Sequence, residues 1–171
     1  MLENDVLKLR LIEPEDYETI RSWRTSREEY NSFFEFRPVT KKQNEMFYEK
    51  HSDEFNFCIV YKKTGEVIGT ISIVDIDQRN RKAEMGRILI GDKKYRGQGL
   101  MKSAIELVKE YSFKNLNLRK LYCTVFENNI PAQKTYSSCG FKQEASLKEH
   151  IYKNGKYENV LIFSLFNENL A

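Results

Sequence analysis

Apolar and polar residues alternate in VLKLRLI, from Val6 to Ile12, which predicts a half-buried strand near the start of the chain. The period then changes. Tyr17, Ile20 and Trp23 recur at helical spacing behind Pro14, which suits a first helical position, and they predict a helix reaching about Ser26. EYNSFFEFRPVT (29–40) keeps neither period and reads as an aromatic loop or short helical turn. Thr40 and Gln43 have capping-box spacing, ahead of a helix through Met46, Phe47 and Lys50. FNFCIVY and VIGTISIVDI read as strands joined by the turn KKTGE, and AEMGRILI as a third strand whose Gly86 suggests a bulge. Leu100, Ala104, Leu107, Val108 and Tyr111 form the buried stripe of a longer helix. RKLYCTVF is a strand, and Asn129 with Pro131 opens a short helix to about Ser138. The remainder is mostly strand, turned at Asn154-Gly155. The order β-α-α-β-β-β-α-β-α-β-β, with no repeat or linker, predicts one α/β domain over residues 1–171.

Composition narrows the class. With 40% hydrophobic residues in 171, the chain can bury a real core and stands clear of disordered sequences. A net charge of +3, with both signs interspersed, describes a solvated surface and gives no argument for nucleic acid. Cys58, Cys123 and Cys139 are odd in number and lack paired spacing, so they read as buried thiols in a reducing compartment, without a metal role. No apolar run approaches the roughly 18 residues of a membrane span, and the acidic N-terminus has no signal-peptide pattern. The expectation is a cytoplasmic protein with no membrane partner.

The segment KKYRGQGLMKSAIELVKEYSF (93–113) sets Arg96, Gly97 and Gly99 directly before a helix. Backbone N–H groups of such a turn, with the first unpaired N–H groups of the helix, can cradle phosphate oxygens. Lys94 and Arg96 would add charge at the rim. A tight strand-to-helix turn would account for the same glycines. The P-loop lysine-serine pair is absent, and a dinucleotide fingerprint would need a third glycine.

A second stretch adds to the first. NNIPAQKTYSSCGF places Asn129, Ala132, Tyr136, Gly140 and Phe141 at fixed offsets after a strand. A basic residue, x-x-Gly-x-Gly opening a helix, and then Asn, a small residue, Tyr and Gly-Phe some 30 residues on resembles the GCN5-related N-acetyltransferases. The resemblance runs over nearly the whole chain. YSFKNLNLRKLY and YKNGKYENV resemble the branch that holds spermidine N-acetyltransferases, ribosomal-protein N-terminal acetyltransferases and some sugar-nucleotide amine acetyltransferases. Lys94 departs from the usual Gln or Arg, and Met101 from a common Gly or Ala.

The resemblance implies a central mixed sheet splayed at a bulge and flanked by helices, with acetyl-CoA as cosubstrate and no metal. It implies that the pyrophosphate lies on Arg96, Gly97, Gln98, Gly99, Leu100 and Met101, with Lys94, Asn129 and Lys134 also on the cofactor. Backbone groups of Ile88, Leu89 and Ile90 would pair with the pantetheine arm beside a bulge at Gly86. Tyr136 would protonate the departing thiolate, since a phenol pKa of about 10 lies near a thiol's of about 8.5; a core tyrosine, one of ten in the chain, is the plainer reading. Glu84 would act as base, through water, on the incoming ammonium; a surface strand glutamate is the plainer reading. His51 and His150 match no family position.

The acceptor stays open between two classes. Asp75 and Glu35, with Glu28 and Glu29 nearby, fall where spermidine acetyltransferases carry acids, whereas Arg37 and Phe36 oppose a polyamine. SWRTSREEY resembles the early segment of amino-sugar enzymes, where Arg24 or Arg27 would meet a phosphate. The expected function is transfer of an acetyl group to a primary amine of a small molecule, a polyamine (spermidine or spermine) or an amino sugar. N-terminal acetylation of a ribosomal protein and non-catalytic acyl-CoA sensing are the alternatives, and a homo-oligomer is compatible with each.

Overall fold

A computed structural model describes residues 2–26, 34 and 38–170. The chain runs β1 (Leu2–Glu3), β2 (Leu7–Leu11), α1 (Tyr17–Arg24), α2 (Lys41–Lys50), β3 (Phe55–Tyr61), β4 (Glu66–Asp77) and β5 (Lys82–Ile90). It continues through α3 (Leu100–Lys114), β6 (Lys120–Phe126), α4 (Ile130–Ser138), β7 (Lys142–Lys153) and β8 (Lys156–Phe166). The strands form one sheet in the order β1-β2-β3-β4-β5-β6-β8-β7. Every neighbouring pair is antiparallel except β5 with β6, which makes the sheet mixed.

Local sequence signals account for most boundaries. Gln43 N–H donates to Thr40 Oγ1 at 3.2 Å and Thr40 N–H to Gln43 Oε1 at 2.9 Å, the reciprocal bonds of a capping box. Asn129 Oδ1 accepts from Ala132 N–H at the start of α4. Asn154 and Gly155 both take positive φ, +52° and +80°, as a two-residue hairpin between Lys153 and Lys156 requires. The first three residues of the 14–24 segment depart from the pattern: Pro14–Asp16 is a 3₁₀ turn, and the α-helix begins only at Tyr17. Asp16 is drawn into that turn by Arg10, whose guanidinium meets its carboxylate at 2.6 and 2.8 Å. β1 is too short to show a period, and the pattern misses it.

α3 packs its apolar stripe on the sheet, burying Leu100, Ala104, Ile105, Leu107 and Val108 with Ile71, Ile73, Met85 and Leu121. Cys58, Cys123 and Cys139 are free and buried. α1 lies close to the end of β5. A methyl group on Gly91 would come within 2.0 Å of the Trp23 ring, so only a glycine lets the indole rest there.

Candidate active site

β5 and β6 part company early. Their parallel pairing covers only Lys82–Lys120, Ala83–Leu121 and Glu84–Tyr122. Beyond that junction β5 is paired with β4 and β6 with β8. A cavity of about 590 Å³ opens in the gap, walled by β5 from Glu84 to Ile90, by Thr124 and Val125 of β6, and by α4. This is the predicted splay.

The bulge that turns β5 away is not where the sequence suggests. Thr70 pairs with Leu89 and Ser72 with Gly86, so Arg87 and Ile88 together oppose Ile71 alone. Arg87 carries the left-handed backbone, at φ +52°. Gly86 takes no positive φ, and a methyl group there would meet only Val74 Cγ2, at an ordinary 3.5 Å. The glycine this geometry requires is Gly69 on the facing strand, where a methyl group would lie 2.1 Å from the Leu89 carbonyl oxygen. In the sequence Gly69 passes as a strand interior residue.

The fork collects several of the expected residues. Ile88, Leu89 and Ile90 line one wall, Asn129 and Tyr136 the other, with Arg96 and Met101 at the end towards α3. A second hollow of about 410 Å³ adjoins the first, sharing Ile90, Arg96, Met101 and Thr135. Gly97, Gly99, Leu100 and Lys134 line it. Gly97 and Gly99 sit at φ +73° and +74°, and no atom lies within 4 Å of where either would carry a Cβ. Gly99 is also the residue from which α3 starts, so bare backbone and the first helical N–H groups border the hollow. Arg96 donates to the carbonyls of Ile90 (2.9 Å) and Gly91 (3.2 Å), clamping the end of β5 to this turn.

Other candidates sit apart from the two hollows. The Lys94 ammonium pairs with Glu66 at 3.2 Å and Asp92 at 3.3 Å, and Lys94 lines neither hollow. Gln98 donates to the Lys94 carbonyl at 2.6 Å and so braces the turn itself. Arg24 lies over the face of Phe47, 5.5 Å from the ring centre. Asp75 is exposed on a second bulge, at φ +49°, where Asp75 and Ile76 oppose Ala83. Glu35, with Glu28, Glu29, Phe36, Arg37 and Arg27, lies outside the described residues.

Glu84 and Tyr136 face the same cavity from opposite walls. Burial raises the Glu84 carboxyl above the ordinary carboxylate range, and the charge of Asp75 adds to the rise; a hydrogen bond from Thr124 Oγ1 at 2.6 Å opposes it. Tyr136 is 5% exposed, packed against Phe141 and Phe163. Burial pushes its phenol well above the usual value, so the hydroxyl keeps its proton at neutral pH. One wall therefore offers a carboxylate that takes protons readily, and the other a protonated donor. Thr124, Arg87 and Phe34, which also line the cavity, carry no motif and were legible only once the strands were placed.

Residues 7–142 match the family model described as an acetyltransferase (GNAT) domain. The spermidine N(1)-acetyltransferase of Escherichia coli K12 is 31% identical over 161 residues, covering 94% of this chain and 86% of that one. The crystal structure of the Vibrio cholerae spermidine N-acetyltransferase, in complex with CoA and spermine, superposes with a TM-score of 0.87 at 30% identity, covering 95% and 96% of the two chains. A dodecameric structure of the Vibrio cholerae enzyme superposes with a TM-score of 0.78 at 29% identity, covering 95% of each chain. A match over most of the chain settles the assignment: the chain belongs to the GNAT family of N-acetyltransferases.

Proposed function

We propose that the protein transfers an acetyl group from acetyl-CoA to a primary amine of a polyamine such as spermidine or spermine. The observation that carries this reading is the fork itself, with Glu84 and Tyr136 on opposite walls of a cavity that runs on to the Gly97–Gly99 turn. The unpaired side of Ile88–Ile90 would receive the pantetheine amides as a missing strand would. The turn 96–101, with Lys134 at its side, would hold the pyrophosphate.

In this reading the amine reaches the fork as an ammonium. Glu84 takes one proton, through water, and leaves the nitrogen a free lone pair. The nitrogen attacks the thioester carbonyl carbon, the C–S bond breaks, and sulfur leaves with the electron pair. Tyr136 Oη supplies the proton that sulfur needs, and the amide nitrogen loses its extra proton to solvent, which restores the tyrosine. A cationic acceptor suits the exposed carboxylate of Asp75 beside Glu84. The relatives that act on spermidine support the polyamine. Of Arg24 and Arg27, either of which would meet an amino-sugar phosphate, Arg24 lies over Phe47 and Arg27 is outside the described residues. A homo-oligomer forms part of the reading, since the Vibrio cholerae relative is dodecameric; light scattering on the purified protein tests it.

Release of free thiol from acetyl-CoA, measured in parallel with spermidine, spermine, glucosamine and a ribosomal protein extract, tests the acceptor. Turnover should appear with the two polyamines. Turnover confined to the extract or the sugar would replace the polyamine, and none with any acceptor would favour a sensor.

A further inference from the structure

The left-handed residue of the β5 bulge is an arginine, although a residue with a Cβ enters that conformation only against steric resistance. Its surroundings are unusually specific. Its guanidinium forms an ion pair with Glu54, whose side chain is only 14% exposed, and donates to Asn56 Oδ1 at 2.6 Å. It also lies over the face of Phe47, 4.7 Å from the ring centre. Asn56 is buried and fixed in turn: it accepts from Ser72 Oγ at 2.9 Å and donates to the His51 carbonyl at 3.1 Å. At the backbone, the Arg87 carbonyl accepts from Thr70 Oγ1 at 2.8 Å, inside the bulge.

We propose that Arg87 is a positioning residue for the acyl-donor cleft, its guanidinium anchored on Glu54, Asn56 and Phe47 so that β5 keeps the bulge and its unpaired edge stays presented to the donor. The proposal rests on the acetyl-CoA reading above. Its physical basis is register. A strand that lost the extra residue would slip by one against β4 and turn every later side chain to the opposite face. Ile88 and Ile90 would exchange places with Leu89, and the edge aimed into the cavity would be withdrawn. No hydrogen bond of the β4–β5 ladder resists that slip at Arg87 and Ile88, because the ladder itself is interrupted there. The tether acts at that gap. Phe47 belongs to α2 and Glu54 to the turn that follows it, so the same contacts also hold α2 against the donor wall.

The test is CoA affinity by calorimetry, beside thermal melting and steady-state kinetics, for wild type, Arg87→Gly, Arg87→Lys and Glu54→Gln. Glycine adopts φ +52° without strain, so Arg87→Gly removes the tether and relieves the backbone together. Loss of positioning predicts CoA binding at least tenfold weaker and a KM for acetyl-CoA raised in proportion, with kcat and the acceptor KM little changed. Arg87→Lys should recover part of the affinity. Arg87→Gly binding CoA within twofold of wild type would overturn the proposal. Should that variant not fold, Glu54→Gln decides, since it leaves the backbone at 87 untouched; undiminished CoA affinity there overturns it equally. A wild-type protein that binds no CoA would overturn the donor reading and the proposal with it. Wild-type binding with unaffected variants would remove the proposal alone.

Discussion

Thr124 Oγ1 donates to Glu84 Oε1 at 2.6 Å, across the point where β5 and β6 diverge. Glu84 ends the paired part of β5 opposite Tyr122, and Thr124 lies two residues further along β6 on the same face. The bond spans the opening of the fork and aims one carboxylate into it. Burial still dominates, and the carboxyl titrates above its usual range.

That rise fixes the sign of a pH effect. A carboxyl whose folded pKa is raised binds its proton more readily in the folded than in the unfolded chain. Its penalty is therefore absent below the unfolded value of about 4.3 and fully felt once pH exceeds the folded value. Glu84→Gln should raise the melting temperature at pH 7 to 8 and leave it unchanged near pH 4. Its kcat should fall by roughly 10²–10⁴ if Glu84 is the base. An acid limb above the usual carboxylate range should leave the pH–rate profile with it. Equal turnover and an unaltered profile would return Glu84 to the plain strand glutamate.

Gly99→Val should weaken CoA binding at least tenfold, about 1.4 kcal/mol, because the side chain would enter the hollow beside the helix start. Backbone strain is a separate cost, and Gly65→Val isolates it. Gly65 has φ +73° and nothing within 4 Å, but lies in the turn between β3 and β4. Both variants should lose comparable stability in melts, and only Gly99→Val should lose affinity in calorimetry. A Gly65-like result at position 99 would remove the pyrophosphate from this turn.

Gly91→Ala should destabilise the protein by about 1–3 kcal/mol, since its methyl group would overlap the Trp23 ring. Trp23→Leu in the same chain should recover part of that loss, as two residues in contact couple. Urea titrations of the two single variants and the double variant measure the coupling. Additive losses would show that the indole yields without cost.

The element order and the glycine turn were legible because caps, periods and turn residues act over a few neighbours. Thr40 with Gln43, Asn129 and Asn154-Gly155 each state their geometry locally. What was illegible depends on partners far along the chain. Arg87, with its unusual backbone, meets Glu54 and Asn56 some thirty residues earlier, and no local pattern reports that. Gly69 matters only through Leu89, and Lys94 meets in Glu66 a partner 28 residues earlier in the chain. Within the candidate site, Tyr136 is suggested by a family motif and Glu84 by a resemblance in its region of the chain, neither by chemistry visible in its neighbours.

Tyr136→Phe separates catalysis from packing at the opposite wall. The variant keeps the ring that Phe141 and Phe163 touch and removes only the hydroxyl, which makes no hydrogen bond to the described residues. Burial holds the phenol protonated, so at neutral pH it can only donate. If it protonates the departing thiolate, kcat should fall by roughly 10²–10⁴ while CoA affinity hardly changes, because the loss is confined to the transition state. If Tyr136 only fills the core, turnover should stay near normal. Stability should then change little or even rise, since a buried hydroxyl without a protein partner gives the fold nothing when removed. Steady-state rates on the best polyamine, measured beside a thermal melt, distinguish the two. Turnover within threefold of wild type would end the claim of Tyr136 to be the acid.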